Sequence, residues 1–226
     1  MEFMKYLAPL IGVVLGALIA PWVEQRKRSY DLKHKLETLY LEISDLKTDA
    51  EHMLEIAYET YSKSYLAEYL GLDNEYTKNY SIPRTINFYS LDETLLEVYS
   101  SLTYDQRNAI KSIFEIANFI NQKVELLAKS SDGNAKNLDQ LTARSIVNTL
   151  ATLIYLTSRL HHESDRFVYF KDLKDKDVIA STLSAYDYSL EFDDIIKKYK
   201  YKQEQLASEK ALTNQASEMQ KSCTLS

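Results

Sequence analysis

The sequence predicts an all-α protein, in which an N-terminal single transmembrane helix continues into the long first helix of an antiparallel four-helix, coiled-coil-like bundle. Three observations carry this. The run from Tyr6 to Val23 is uncharged, and its length of about 18 residues, or ~27 Å of helix, matches the hydrocarbon core of a bilayer. The 226 residues include only four glycines and three prolines, too few of the breakers that punctuate sheets and loop-rich folds. Beyond the apolar run, hydrophobic residues return every three or four positions, the spacing of one helix face.

In chain order, residues 1–23 form the expected anchor. Tyr6 and Trp22 sit one at each end, where aromatic rings favour the headgroup level. Arg26, Lys27 and Arg28 follow directly, against Lys5 alone before the span. By the positive-inside rule the N-terminus lies outside and the C-terminal body is cytoplasmic. A cleaved signal peptide is the competing reading, but a cut after Ala20 would place Leu18 where a small residue is preferred and Pro21 just past the cut. Ala8, Gly12, Gly16 and Ala20 recur every fourth residue. Such a small-residue face lets helix backbones approach closely in lipid, which predicts self-association of the anchor.

Residues 24–31 are too polar to be buried and form a basic juxtamembrane stalk. The bundle is expected over 32–201. Its first helix carries Leu32, Leu36, Leu39, Ile43, Leu46, Ala50, Met53 and Ala57 in steps of four and three, a heptad seam. Tyr58, Tyr61, Tyr65 and Tyr69 extend the helix as an aromatic stripe, with Tyr76 and Tyr80 in the connection beyond. Such a stripe is either the solvent-reaching end of the bundle or a partner-binding patch, since tyrosine is favoured where an apolar face meets water. Gly71 is placed to end the helix. Residues 72–89 form the longest irregular connection, a length often tied to function or mobility.

Ser90 with Glu93, and Thr103 with Gln106, match the capping box and predict helix starts. Ile110, Ile113, Ala117, Ile120, Val124 and Leu127 form a second seam, closed by a turn over 130–135. A third helix, about Leu138 to His161, has a broader apolar face running from Leu141 to Leu160. A fourth carries Ile179, Leu183, Tyr186, Leu190, Ile195, Ile196 and Tyr199. Residues 202–226 are expected as a helical extension fraying into a disordered tail. Asn118, Asn121, Arg107 and Arg144 are candidate buried polar groups that would set helix register.

Several function classes fall away. A net charge of −6 argues against a nucleic-acid partner, which requires a basic surface. Beyond the anchor only Gly71 and Gly133 remain, so a glycine-rich phosphate loop is absent. The single Cys223 excludes an internal disulfide. His52, His161, His162 and Glu163 are weak metal candidates, lacking the paired motif of metal-binding bundles. No cofactor and no catalytic residue is expected. The leading expectation is a membrane-anchored binding or assembly module, a scaffold or adaptor at the cytoplasmic face. Its expected partners are the lipid bilayer, further copies of itself and an unknown protein. One alternative is a toxin or defence effector that perturbs the membrane by oligomerising its anchor; a weaker one is a metal-binding bundle enzyme.

Overall fold

The computed structural model describes residues 2–71, 75–88, 91–131, 133–169 and 174–223; within these, the side chains of residues 2–16, 75 and 209–223 lie outside the described set. The described residues are all-helical, without a strand. Helix α1 spans Glu2–Tyr69, α2 Glu75–Lys78, α3 Leu91–Val98, α4 Tyr104–Ser130, α5 Gln140–Glu163, α6 Asp175–Ala185 and α7 Phe192–Cys223. Short 3-10 turns follow α3, precede α5 and follow α5. The chain forms two compact units. The first comprises Met1–Ala50, Ile86–Asn118 and Leu153–Lys171; the second comprises Glu51–Thr85, Phe119–Thr152 and Asp172–Ser226. The cuts fall inside α1, α4 and α5 rather than in linkers, so composition gave no sign of them.

In the first unit the α1 seam is buried from Leu39 onward, as are Ile110, Ile113 and Ala117 of α4 and Leu153, Ile154 and Leu160 of α5. Each such aliphatic side chain contributes roughly 1.5–3 kcal/mol when fully buried. Helix α4 starts where its capping box predicts. The Thr103 N–H donates to Gln106 Oε1 (2.6 Å), and the Gln106 N–H donates back to Thr103 Oγ1 (3.2 Å). Gln106 is only 3% exposed, and its Nε2 also donates to Tyr40 Oη (2.8 Å) and to the Ser164 carbonyl (2.9 Å). One side chain thereby ties α1, α4 and the turn after α5 together.

In the second unit Met53, Leu54 and Ala57 of α1, Ile120, Val124 and Leu127 of α4, and Ile146, Val147 and Leu150 of α5 are all buried. Asp139 caps α5, accepting from the N–H groups of Leu141 (3.1 Å) and Thr142 (3.3 Å) and from the Thr142 hydroxyl (2.6 Å). Those bonds hold its carboxyl below the usual carboxylate range. Gly71 follows α1 at φ +60°, the left-handed conformation that suits a helix C-terminus. The connection after it is less irregular than expected. Its residues 75–78 form α2, and α1 pins the backbone just beyond that helix. The Thr60 hydroxyl donates to the Ser81 carbonyl, and the buried Lys63 ammonium donates to the Asn79 carbonyl.

Several expectations are corrected. Seven helices replace four among the described residues, because the connection contains α2, α3 precedes the Thr103 cap, and the fourth helix breaks in two between Ala185 and Phe192. Leu141 is 79% exposed; it lies in the first turn of α5, before the apolar face meets the core. Asn118 and Arg144 are exposed and Arg107 and Asn121 half-buried, so the buried polar positions fall instead to Gln106, Thr60, Lys63 and Thr157. Helix α7 runs on through Cys223, over the stretch expected as a helical extension; residues 224–226 lie outside the described set, as does Ser90 of the first capping box. Among the described residues no helix is long and apolar enough to cross a membrane. The expected anchor has its side chains up to Gly16, including Tyr6, Ala8 and Gly12, outside that set.

Candidate functional site

The α1 tyrosines are the most distinctive polar-aromatic feature of the second unit, and most are occupied by the chain itself. Tyr58 and Tyr61 are buried, at 7% and 2% exposure. Tyr58 stacks on Tyr188 with ring centres 4.2 Å apart, and its hydroxyl donates to the Ser189 carbonyl (2.8 Å). Tyr186 donates to Glu51 Oε1. Tyr65 and Tyr69 close on Phe192 at 5.4 and 5.7 Å. The α1 stripe is thus the seat of the corner between α6 and α7, residues 186–191. Tyr76 packs on Tyr199 (5.1 Å) beneath the Lys63 and Lys202 ammoniums, and Tyr80 hydrogen-bonds Ser131 Oγ (2.7 Å). Of the six tyrosines proposed from sequence, Tyr69 keeps the largest free surface, at 61%.

These phenols act as donors and flat apolar faces. Burial pushes the Tyr58, Tyr76, Tyr186 and Tyr188 phenols up, with the Glu51 carboxylate adding to the effect at Tyr186. All stay protonated at neutral pH, which suits hydrogen bonding to carbonyls and carboxylates and not nucleophilic chemistry.

The corner has a second consequence. Helices α6 and α7, which it joins, line an open slot of about 1260 Å³ together with Arg144 and Asn148 of α5. Its apolar lining is Ile179, Leu183, Tyr188, Leu190 and Tyr201; its rim carries Lys176, Lys197 and Lys200 beside Glu191, Asp194 and Glu204. Asp187 makes the turn with φ +58°, and Lys198 holds it through the Asp187 carbonyl and carboxylate (3.7 Å to Oδ2) while lying 5.5 Å from the Tyr188 ring. The Asn148 amide oxygen is buried without a hydrogen-bond partner among the described residues. Sequence reasoning missed this slot because Tyr186 and Leu190 preserve helical apolar spacing across the break. The available signal was the acidic pair Asp193 and Asp194, which opens α7 as acids open many helices.

The histidine candidates have other roles. His161 is half-buried, its Nδ1 lying 3.1 Å from the Tyr40 carbonyl. Glu163 is gripped by Arg159 through two bonds of 2.7 Å, and that guanidinium, chiefly through its hydrogen bonds, holds the Glu163 carboxyl below its ordinary value. His162 and His52 are exposed. Among the described residues no group of three His, Cys, Asp or Glu side chains is placed to hold a metal ion.

At the N-terminal end, Ala17 to Asp31 are all exposed. Leu18, Ile19, Trp22 and Val23 are 70, 51, 60 and 52% exposed. The Arg26 guanidinium lies 5.2 Å from the centre of the Trp22 ring, and Arg28 pairs with Glu24 at 2.6 Å. Lys27 is exposed beside them. Comparison with protein families, with curated proteins and with solved structures finds no match to this chain.

Proposed function

We propose that this chain is a membrane-attached assembly module, a scaffold whose helical units bind other proteins at the cytoplasmic face of a bilayer. The observation that carries the reading is the exposure of Leu18, Ile19, Trp22 and Val23 along one stretch of α1. Four large apolar side chains in contact with water would be costly, and they continue an uncharged run that begins at Tyr6. Lipid is the medium that would cover such a stretch on all sides. The Trp22 ring under Arg26, followed by Lys27 and Arg28, supports an interfacial boundary at this point. The small positions Ala8, Gly12, Gly16 and Ala20 support self-association within the bilayer.

Fractionation of cells expressing the full chain tests this. The wild type should stay with membranes through an alkaline carbonate wash. Val14→Asp with Leu18→Asp should move to the soluble fraction, because each central carboxylate costs about 2.5–3.5 kcal/mol on insertion scales. Cys223, the one thiol, should react with an impermeant maleimide only after lysis if the C-terminus is cytoplasmic. A wild-type chain that washes off would refute the attachment. Loss of membrane potential on expression, abolished by Gly12→Leu with Gly16→Leu, would replace the scaffold with a bilayer-perturbing effector.

A further inference from the structure

The slot between α6 and α7 is shaped and charged for one kind of occupant. Residues of α5, of α6, of the corner and of α7 line about 1260 Å³ of open space. The apolar strip inside includes Tyr201, 62% exposed, the kind of aromatic anchor that dominates helix docking. The rim is not of one sign, which argues against a simple anion or cation. Along α7 the charges come in blocks: Glu191 and Asp194 lie at its start, and Lys197 and Lys200 come about one turn later.

This order is self-complementary in one direction only. When α7 is laid antiparallel beside a second α7, with the two-fold axis midway between Ile195 and Ile196, Asp194 falls level with Lys197, and Glu191, whose carbonyl accepts from the Ile195 N–H, falls level with Lys200. Asp187 lies in the corner before α7, outside this register, and is held by Lys198 of its own chain. A parallel pairing would set each charge against its own copy and repel. We infer that the slot is the docking site for α7 of a second copy, each α7 lying in the other's slot in an isologous, two-fold interface. The resulting layer runs α6, partner α7, α7, partner α6. This rests on the assembly reading above but on a surface separate from the anchor.

The test is a charge swap in the full chain, using differently tagged copies co-expressed and purified from membranes. It is done in the native background and again with Gly12→Leu and Gly16→Leu, which remove the anchor's small-residue face. Copies carrying Lys197→Glu with Lys200→Glu keep only Lys198 as a basic α7 residue in the slot lining and should lose self-association by about tenfold or more. Copies carrying Glu191→Lys with Asp194→Lys should lose it equally. Co-expressed, the acidic and basic copies should pair with each other and restore the complex, which misfolded chains would not do. Failure of the mixed pair to form, as when the slot takes a helix of another protein, overturns the inference. So does undiminished self-association of either variant in the anchor-altered background, or association of native-slot copies that disappears once the anchor is altered. The last outcome leaves the assembly reading standing; wild-type copies that never co-purify overturn both.

Discussion

Replacing Gln106 with alanine should be among the most costly polar substitutions in the first unit. The side chain is 3% exposed. It accepts from the Thr103 N–H at 2.6 Å and donates to Tyr40 Oη at 2.8 Å and to the Ser164 carbonyl at 2.9 Å. At about 1 kcal/mol net for each bond, Gln106→Ala should lower stability by about 2–4 kcal/mol. Thr103→Ala removes only the bond returned by the cap, Gln106 N–H to Thr103 Oγ1 at 3.2 Å, and should cost about 1 kcal/mol. Urea unfolding of the full chain in one detergent, monitored by far-ultraviolet circular dichroism, gives both values from the midpoint shift at constant slope. A double-mutant cycle with Tyr40→Phe should show a coupling of about 0.5–3 kcal/mol. If Gln106→Ala costs no more than Thr103→Ala, and its effect adds to that of Tyr40→Phe without coupling, then Gln106 is only a helix cap and the tie between α1, α4 and the turn after α5 does not hold the unit together.

The same geometry sets three further outcomes. Burial, with Asp165 nearby, pushes the Tyr40 phenol from its ordinary value of 10.0 up to about 12. Its stabilisation is therefore complete below pH 10 and lost as pH rises through 12; melting temperature should fall across that window, and less steeply in Tyr40→Phe. Glu163 titrates the opposite way, because Arg159 lowers its pKa. Its contribution is present above the unfolded value of 4.5 and lost as pH falls through the lowered folded value, so Glu163→Gln should flatten the acid limb of a stability–pH curve while costing only about 0.5 kcal/mol at neutral pH, since the pair is partly exposed. Lys63→Met removes the donor to the Asn79 carbonyl and the ion pair to Glu59 (2.8 Å). Amide exchange in residues 75–82 should speed up by about tenfold, as for loss of one charge-assisted bond of about 1.5 kcal/mol; unchanged exchange there would show that Lys63 does not pin the connection.

Much of this fold was legible because its periodicity and its punctuation agree. In α4 the seam from Ile110 to Leu127 is buried at all six positions, and Thr103 and Gln106 mark the start. The apolar spacing overreached where burial depends on what lies opposite. Leu141 has the right register for the α5 face but lies in its first turn, where it is exposed. Tyr186 and Leu190 continue a helical pattern across a corner that is not helical, because tertiary bonds from Tyr58 to Ser189 and from Tyr186 to Glu51 hold the backbone outside a helix. The stripe of tyrosines was visible, but spacing along one helix cannot say which segment of a chain will cover it. Here that segment lies far along the same chain. The slot was invisible for the same reason, being the product of a break that periodicity smooths over.

The preference for tyrosine over phenylalanine, 18 against 7, has a consequence for how the helices find their alignment. A heptad seam of aliphatic side chains is nearly indifferent to a slip of one repeat, because each knob then meets an equivalent hole. Hydroxyls do not share that indifference. The Tyr58 hydroxyl reaches the Ser189 carbonyl and the Tyr186 hydroxyl reaches Glu51 in a single alignment; one repeat away along α1, Tyr186 would come level with Ser44 or Tyr58 and lose the Glu51 carboxylate. The aromatic stripe thus works as an index mark on an otherwise repetitive rod, turning several near-equal packings into one.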